Sequence, residues 1–135
     1  MVLHEDIPEW FELAFEDLGA AKVLLQDGFK RGALLHIQQA IEKALKGWLL
    51  ARNWKLQKTH DLLILAKAAK ERGRDLQFIM DDMDLLSTCY FLDRYPAVAI
   101  IDFEQSELSE ILERIQALMF ELRKETLETN GATHN

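Results

Sequence analysis

The stretch ALLHIQQAIEKALKGWLLARN, residues 33–53, decides the fold class of this chain. Its apolar residues recur at the three- and four-residue spacing of an α-helix rather than at the alternation of a β-strand. They are Leu34, Ile37, Ile41, Ala44, Leu45 and Trp48. A stripe of this kind is the buried face of an amphipathic helix. The sequence therefore predicts a long helix from about Lys30 to Arg52, in a chain built of helices that pack on one another.

Residues before and after this stretch mark further helices. Pro8 suits the first turn of a helix, where its missing N–H is not needed, and Gly28 suits the position after the last turn. These two residues predict a first helix over about residues 8–27. Further along, Thr59 suits an N-cap, and Asp61 suits the first turn of a short third helix, where the helix dipole favours a carboxylate.

The chain after Gly73, where the third helix is expected to end, predicts two more helices. Asp75 suits the cap of the fourth helix, which Pro96 prevents from continuing. Asp102 is predicted to open the fifth helix, which carries the most regular apolar stripe of the chain. Its members are Leu108, Ile111, Leu112, Ile115, Met119 and Leu122. Residues 129–135 have no periodicity, and we expect them to form a disordered tail.

The whole pattern favours one helical domain over residues 1–128. A chain of 135 residues with only six Gly and two Pro favours long regular elements. Long helices with short connections pack most simply as an up-and-down bundle of four to five antiparallel helices. Trp10, Trp48 and Trp54 offer a large apolar surface for a domain of this size. We expect part of that surface to lie in the interface of a homodimer.

The cysteine content and the N-terminus indicate the compartment. Cys89 is the only cysteine, so no intrachain disulfide can form. The N-terminal MVLHEDIPEW carries acids, unlike a secretory signal, and nowhere do eighteen apolar residues run together. We therefore expect a cytoplasmic protein that does not bind a membrane.

Charge is strongly segregated along the chain, although the net charge is only −7. Residues 1–27 hold one Lys/Arg and seven Asp/Glu, residues 28–74 hold eleven and three, and residues 75–135 hold four and thirteen. The three segments thus carry −6, +8 and −9. A basic middle segment is suited to attract the phosphates of a nucleotide or of RNA. The alternative is that the basic helices neutralise the acidic helices across the bundle.

Motifs with a strong chemical signature are absent from the sequence. It has no glycine-rich phosphate loop, no pair of cysteines with metal spacing, no HExxH and no GxSxG. We therefore expect no metal ion and no cofactor. Of the four histidines, His36 and His60 lie in the body of the chain. The structural alternative for His60 is that it ties its loop to the second helix.

Three segments together resemble the HEPN domain family, named for its occurrence in higher eukaryotes and prokaryotes and for nucleotide binding. They are residues 33–53, quoted above, KTHDLLILAK at 58–67 and YFLDRYP at 90–96. The resemblance covers most of the chain. It implies a helical bundle that dimerises and is often encoded beside a small nucleotidyltransferase or fused to one, with a toxin–antitoxin-like pair as one such arrangement.

The resemblance also implies a place to look for catalysis. In its ribonuclease branches the family carries an Arg followed after four to six residues by a His on a late helix, and two copies meet there at the dimer interface. Here Arg94 is followed by Ala-Ile-Ile at 99–101, none of which transfers a proton. Arg31 and His36 have the formal spacing, but they lie on the second helix, so we interpret this match as a coincidence.

The candidate ligand site combines the polar side of the second helix with two later segments. Its residues are His36, Gln39, Lys43, Lys46, His60, Arg94 and Tyr95. Those on the second helix fall within one arc of a helical wheel, together with the small residues Ala40 and Gly47, which allow another backbone to approach. An amide, an imidazole and two ammonium groups suit a phosphate and a base.

Each element of this site has a structural alternative. Glu42 and Lys46 are spaced for an ordinary i,i+4 ion pair on a solvated face. Arg94 suits either a phosphate, through its planar fork, or an internal pair with Asp61 or Glu42.

Three hypotheses about function follow. The first is a non-catalytic nucleotide-binding or partner-binding module, the companion of a nucleotidyltransferase. The second is a diverged, metal-independent ribonuclease toxin that uses Arg94 with His36 or His60. The third is a dimeric scaffold without a ligand.

Overall fold

Five α-helices make up the part of the chain that the computed structural model describes, residues 6–92 and 103–128. They are α1 (Ile7–Gln26), α2 (Lys30–Leu50), α3 (Leu62–Glu71), α4 (Met80–Leu92) and α5 (Gln105–Arg123). A 3-10 turn at Gln77–Ile79 leads into α4, and a π-helical turn at Lys124–Glu128 extends α5. Within those two ranges there is no β-strand, and the predicted all-helical class is confirmed.

The corner between α1 and α2 forms as its sequence predicts. Pro8 lies in the first turn of α1. At the other end Gly28 has a φ of 85°, a left-handed conformation that glycine adopts without steric cost. The N–H of Phe29 donates to the carbonyl of Leu24 at 2.8 Å, and the N–H of Gly28 donates to that of Leu25 at 3.1 Å. This Schellman motif satisfies the last carbonyls of α1 and turns the chain directly into α2.

The start of α3 differs from the prediction by two residues. Asp61 itself is the N-cap, because its side chain accepts the N–H of Leu63 at 3.0 Å. Thr59 instead closes a small turn before the helix, where its hydroxyl accepts the N–H of Asp61 at 3.1 Å. The prediction of Thr59 as the cap is therefore wrong. Both residues can accept from a backbone N–H two residues on, and the sequence does not say which one opens the helix.

The caps predicted for the last two helices are also displaced. Asp75 does not cap α4: it accepts the N–H of Gln77 at 2.9 Å and precedes Leu76, the N-cap residue of the 3-10 turn. The helix α5 begins at Gln105 with a capping box of Glu104 and Glu107, and the prediction that Asp102 opens it is wrong. The predicted end at Pro96 and the predicted tail at 129–135 lie outside the described residues.

The helix α2 is the centre of the bundle. It packs along α1 more extensively than along any other helix, and it also contacts α3, α4 and α5. Its buried residues include Gln38, Glu42 and Lys46 as well as the predicted apolar stripe. A helix surrounded in this way buries more than one face, so part of its polar side is inside the protein.

Two of the three tryptophans belong to this core. Trp48 is 3% exposed and Trp54 is 4% exposed, while Trp10 is only partly buried. The indole N–H of Trp48 donates to Glu125 Oε1 at 2.9 Å, which satisfies its polar atom inside the bundle. Trp48 and Trp54 are thus used within one chain, so that among the three tryptophans only the partly buried Trp10 has surface left for a subunit interface. No helix in the described residues is long and apolar enough to cross a membrane.

Candidate functional site

The carboxylate of Glu42 joins three donors from two elements. Its side chain is 8% exposed. On its own helix, Gln38 Nε2 donates to Glu42 Oε1 at 2.9 Å, and Lys46 Nζ donates to Oε2 at 2.9 Å. From the loop before α3, His60 Nδ1 lies 3.1 Å from Oε1. Gln38 and Lys46 lie four residues before and after Glu42, so the three side chains share one face of α2.

The His60 ring is held in place but remains accessible. Its side chain is 51% exposed, and its centroid lies 5.0 Å from that of the Tyr90 ring at an angle of 33°. The backbone carbonyl of His60 accepts a further hydrogen bond from Gln38 Nε2 at 3.1 Å. Among the described residues, Nε2 of this imidazole has no hydrogen-bond partner. We call Gln38, Glu42, Lys46, His60 and Tyr90 the His60 corner.

The position of His60 is fixed by the start of α3. Ser87 of α4 accepts the N–H of Leu62 at 2.8 Å, and its hydroxyl lies 3.4 Å from Asp61 Oδ1. These bonds tie the first turn of α3 to α4, directly after His60. The expectation that His60 ties its loop to α2 is confirmed by the bonds of both its ring and its carbonyl to α2 side chains.

A second polar cluster lies where α1 crosses α2. Asp17 of α1 is 13% exposed at its side chain and takes both His36 and Lys43 of α2 as partners. His36 Nδ1 lies 3.0 Å from Asp17 Oδ1, and Lys43 Nζ forms an ion pair with Oδ2. Asp17 is not predictable from the sequence, because only the register between the two helices brings it to these residues.

The predicted ligand residues therefore fall into separate groups. His36 and Lys43 meet at Asp17, Lys46 and His60 meet at Glu42, and Gln39 is partly exposed between them. Arg94 and Tyr95 lie outside the described residues. The i,i+4 pair of Glu42 with Lys46 is present, although it is buried rather than solvated.

Side chains of α1 already pack against a small residue of α2, Gly47. A Cβ placed on Gly47 would lie 2.9 Å from Phe11 Cε2 and 3.2 Å from Trp10 Cβ. Ala40 is fully buried. At Gly47 the side chains that approach α2 thus belong to α1 of the same chain.

The charged segments neutralise one another across the bundle in several places. Besides Lys43 with Asp17, Arg74 lies 2.6 Å from Glu121 and 3.1 Å from Glu125. Each of these pairs joins the basic middle segment to an acidic flank, as the structural alternative predicts. Lysines of the middle segment at 67 and 70 remain exposed on α3.

The described residues hold no group of three or more His, Cys, Asp or Glu side chains arranged for a metal ion. The His60 corner offers instead an oriented imidazole beside an aromatic ring. Such a pair is suited to hydrogen-bond a polar ligand and to stack against a planar one.

Comparison with known proteins identifies the family. The sequence model of the HEPN domain matches residues 7–125. The crystal structure of TT1696 from Thermus thermophilus is similar to this fold, with a TM-score of 0.73 and 28% sequence identity over 94% of this chain and 100% of that chain. No curated protein matches. Because the family match spans all five helices, the chain belongs to the HEPN domain family.

Proposed function

We propose that this HEPN protein is a non-catalytic binding module, which holds a phosphate-bearing ligand and serves as the companion of a nucleotidyltransferase in the cytoplasm. The ligand is a nucleotide or an RNA. The observation that carries the proposal is the His60 corner, where a buried network orients an exposed imidazole. The buried pair of Glu42 and Lys46 thus holds the half-exposed ring of His60 at the protein surface.

The chemistry of the corner supports a phosphate-bearing ligand. Because Glu42 engages Nδ1 of His60, Nε2 is the atom that is left to meet a ligand. The protonated ring donates from Nε2 to a phosphate oxygen, and the neutral ring accepts from a base N–H. Tyr90 supplies an aromatic face beside it. Arg94 and Tyr95 follow Tyr90 by four and five residues, and we propose that they complete the site.

The α2 residues take different parts in this proposal. Lys46 acts through Glu42, because its ammonium group is buried against that carboxylate. His36, Gln39 and Lys43 form a second stretch along α2, where Lys43 has to share its charge between Asp17 and a ligand. We therefore expect His60 and Arg94 to contribute more to affinity than Lys43.

The non-catalytic part of the proposal rests on the missing proton-transfer group. The positions that follow Arg94 at the family spacing hold Ala-Ile-Ile at 99–101. Arg31 and His36 are five residues apart on α2, so they are turned about 140° from one another around the helix axis. That pair does not converge on one substrate within a chain.

A binding measurement tests the ligand site. Titration of a fluorescent adenine nucleotide and of a labelled single-stranded RNA should show binding by the wild type. We expect His60→Ala and Arg94→Ala each to raise the Kd about tenfold, the loss of one charge-assisted hydrogen bond, and Lys43→Ala to raise it less. Lys70→Ala removes one charge of the same segment from the exposed face of α3 and should leave the Kd unchanged.

The same variants separate the alternatives. If the wild type cleaves the RNA and His36→Ala or His60→Ala abolishes cleavage, the ribonuclease hypothesis replaces this proposal. If no nucleotide or RNA binds and His60→Ala only lowers the melting temperature, the corner is structural. Mass spectrometry of the untagged protein from its own cells should identify both the ligand and a nucleotidyltransferase partner, and recovery of neither would contradict the companion role.

A further inference from the structure

The outer face of α1 carries a row of three exposed carboxylates. Glu9, Glu12 and Glu16 are all exposed, and none of them forms a hydrogen bond or an ion pair with any part of the chain that the structure describes. They are spaced by three and four residues, so they lie on one side of the helix over about 10 Å. Asp17, one residue further, is by contrast neutralised by His36 and Lys43.

These carboxylates border a shallow cleft whose lining is partly polar and partly apolar. The cleft has a volume of about 740 Å³ and lies between α1 and the end of α5, with Phe11, Phe15 and Leu127 among its lining residues. A smaller depression beside Trp10 adjoins it and shares Glu9 and Leu13 with it. Exposed apolar side chains continue the surface, since Leu13 is 41% exposed and Phe120 is 46% exposed.

The one cation that lines this cleft, within residues 6–92 and 103–128, is engaged with aromatic rings. The guanidinium carbon of Arg123 lies 4.1 Å from the centroid of Phe15 and 5.2 Å from that of Phe120. The two rings are themselves 5.2 Å apart. Arg123 therefore covers the aromatic pair and does not form an ion pair with any of the three carboxylates within the described ranges. We call Glu9, Glu12, Leu13, Glu16 and the cleft beside them the acidic groove.

We propose that the acidic groove is a docking surface for a basic amphipathic helix of a partner protein. The apolar part of the cleft, with the exposed side chains of Leu13 and Phe120, accepts the apolar face of a third helix. The carboxylates match Lys or Arg side chains spaced i, i+3 and i+7 along that helix. The same charges repel nucleic acid and anionic lipid. This inference rests on the partner-binding part of the proposed function and names the kind of partner. It concerns a surface of α1 and α5 and is independent of the His60 corner.

The test uses a labelled synthetic helix as the probe. It is a peptide of about 18 residues with leucines on one face and lysines at i, i+3 and i+7 beside them, long enough to be helical when bound. Fluorescence anisotropy should show binding to the wild type. The triple variant Glu9→Gln/Glu12→Gln/Glu16→Gln should weaken binding by at least about tenfold, because three ion pairs are lost.

A matched control removes the same charge elsewhere. Asp81→Asn/Asp84→Asn/Glu110→Gln replaces three exposed carboxylates on α4 and α5 and should change the affinity by less than about twofold. A peptide with serines in place of the leucines, and the variant Leu13→Ser, should each bind more weakly than their parents. Circular dichroism should give the same melting temperature for the two triple variants.

Several outcomes overturn the proposal. One is a wild type that does not bind the lysine peptide, and another is a control triple variant that loses as much affinity as the groove variant. If the wild type is a dimer and the groove variant is a monomer, the groove is instead an interface between two copies of this chain. Nucleotide binding by the groove variant should match that of the wild type, so a failure here is distinguishable from a failure of the His60 corner.

Discussion

At the level of single residues, Glu42 has the largest expected effect on stability. The side chains of Glu42 and Lys46 are 8% and 6% exposed. Both charges are thus almost shielded from water, and each is stabilised by its ion pair with the other. Glu42→Leu leaves the ammonium buried without a partner, and we expect it to lower the free energy of unfolding by about 3–5 kcal/mol. Urea denaturation followed by circular dichroism measures the change.

The double variant Glu42→Leu/Lys46→Met is the control for this prediction. It removes both buried charges, and we expect it to be more stable than Glu42→Leu alone, because no unpaired ion remains in the core. A double variant that is less stable than the single variant would show that the cost comes from lost packing.

Cys89 gives a second prediction at this scale. Burial raises the pKa of its thiol above the ordinary value, because the interior disfavours the thiolate. We expect an aromatic disulfide reagent at pH 8 to modify the folded protein at least about tenfold more slowly than the protein in urea. A native rate equal to the unfolded rate would contradict this.

The raised pKa of Cys89 also gives a sign for the pH dependence. The contribution of the buried neutral thiol to stability is complete below the pKa of the unfolded thiol. It is lost as the pH rises through the raised pKa of the folded state, because the unfolded chain releases the proton first. Cys89→Ala should remove this part of the alkaline slope in urea denaturation.

Individual residues also show how far sequence analysis can reach. The pair of Glu42 with Lys46 follows from their spacing on one helix, so it was predictable. Asp17 was not, because its partners are on another helix and depend on the register between α1 and α2.

At the level of elements, the contact between α1 and α2 depends on Gly47. A methyl group there would lie 2.9 Å from Phe11 Cε2, and Phe11 is 1% exposed and has no room to move away. Alanine gains about 1 kcal/mol over glycine in a helix interior, but overpacking costs about 1–3 kcal/mol. We expect Gly47→Ala to be destabilising overall in thermal and urea denaturation.

Gly19→Ala is the matched control on the partner helix. Gly19 lies within α1, and a Cβ at this position would have no atom within 4 Å. The gain in helix propensity is then unopposed, and we expect stabilisation by about 0.5–1 kcal/mol. Equal effects of the two substitutions would contradict the close approach at Gly47.

The helices themselves were largely predictable, and their starts less so. The end at Pro8 follows from the fixed φ of proline, which suits a first helical turn, and the end at Gly28 follows from the positive φ that glycine adopts without steric cost. The starts of α3 and α5 were misplaced because several neighbouring residues can cap a helix, and packing decides among them. Ser87 of α4, for example, accepts the N–H of Leu62 and helps to place the start of α3 at this residue.

At the level of the whole molecule, we predict a homodimer, which is what the resemblance to the HEPN family implies. Light scattering coupled to size exclusion at micromolar concentration should give twice the 15.6 kDa of one chain. A mass of one chain under those conditions would contradict it. The prediction does not rest on Trp48 or Trp54, which are buried within the bundle.

The candidate site was predictable only in part at this scale. A helical wheel places His36, Lys43 and Lys46 on one side of α2 but cannot show what covers that side. In the bundle, Asp17 of α1 pairs with His36 and Lys43, whereas Lys46 pairs with Glu42 in the His60 corner. The wheel treats a helix as though it had one neighbour, and α2 has four.

The dominant packing of α1 against α2 has a consequence for the order of folding. The two helices are consecutive and are joined by the tight turn at Gly28. Contacts between neighbouring segments close short loops, which is kinetically easier than bringing together distant parts of a chain. We therefore expect the α1–α2 hairpin to form early, with α5 docking later across it. Substitutions between α1 and α2 should then slow refolding, whereas substitutions in α5 should mainly accelerate unfolding.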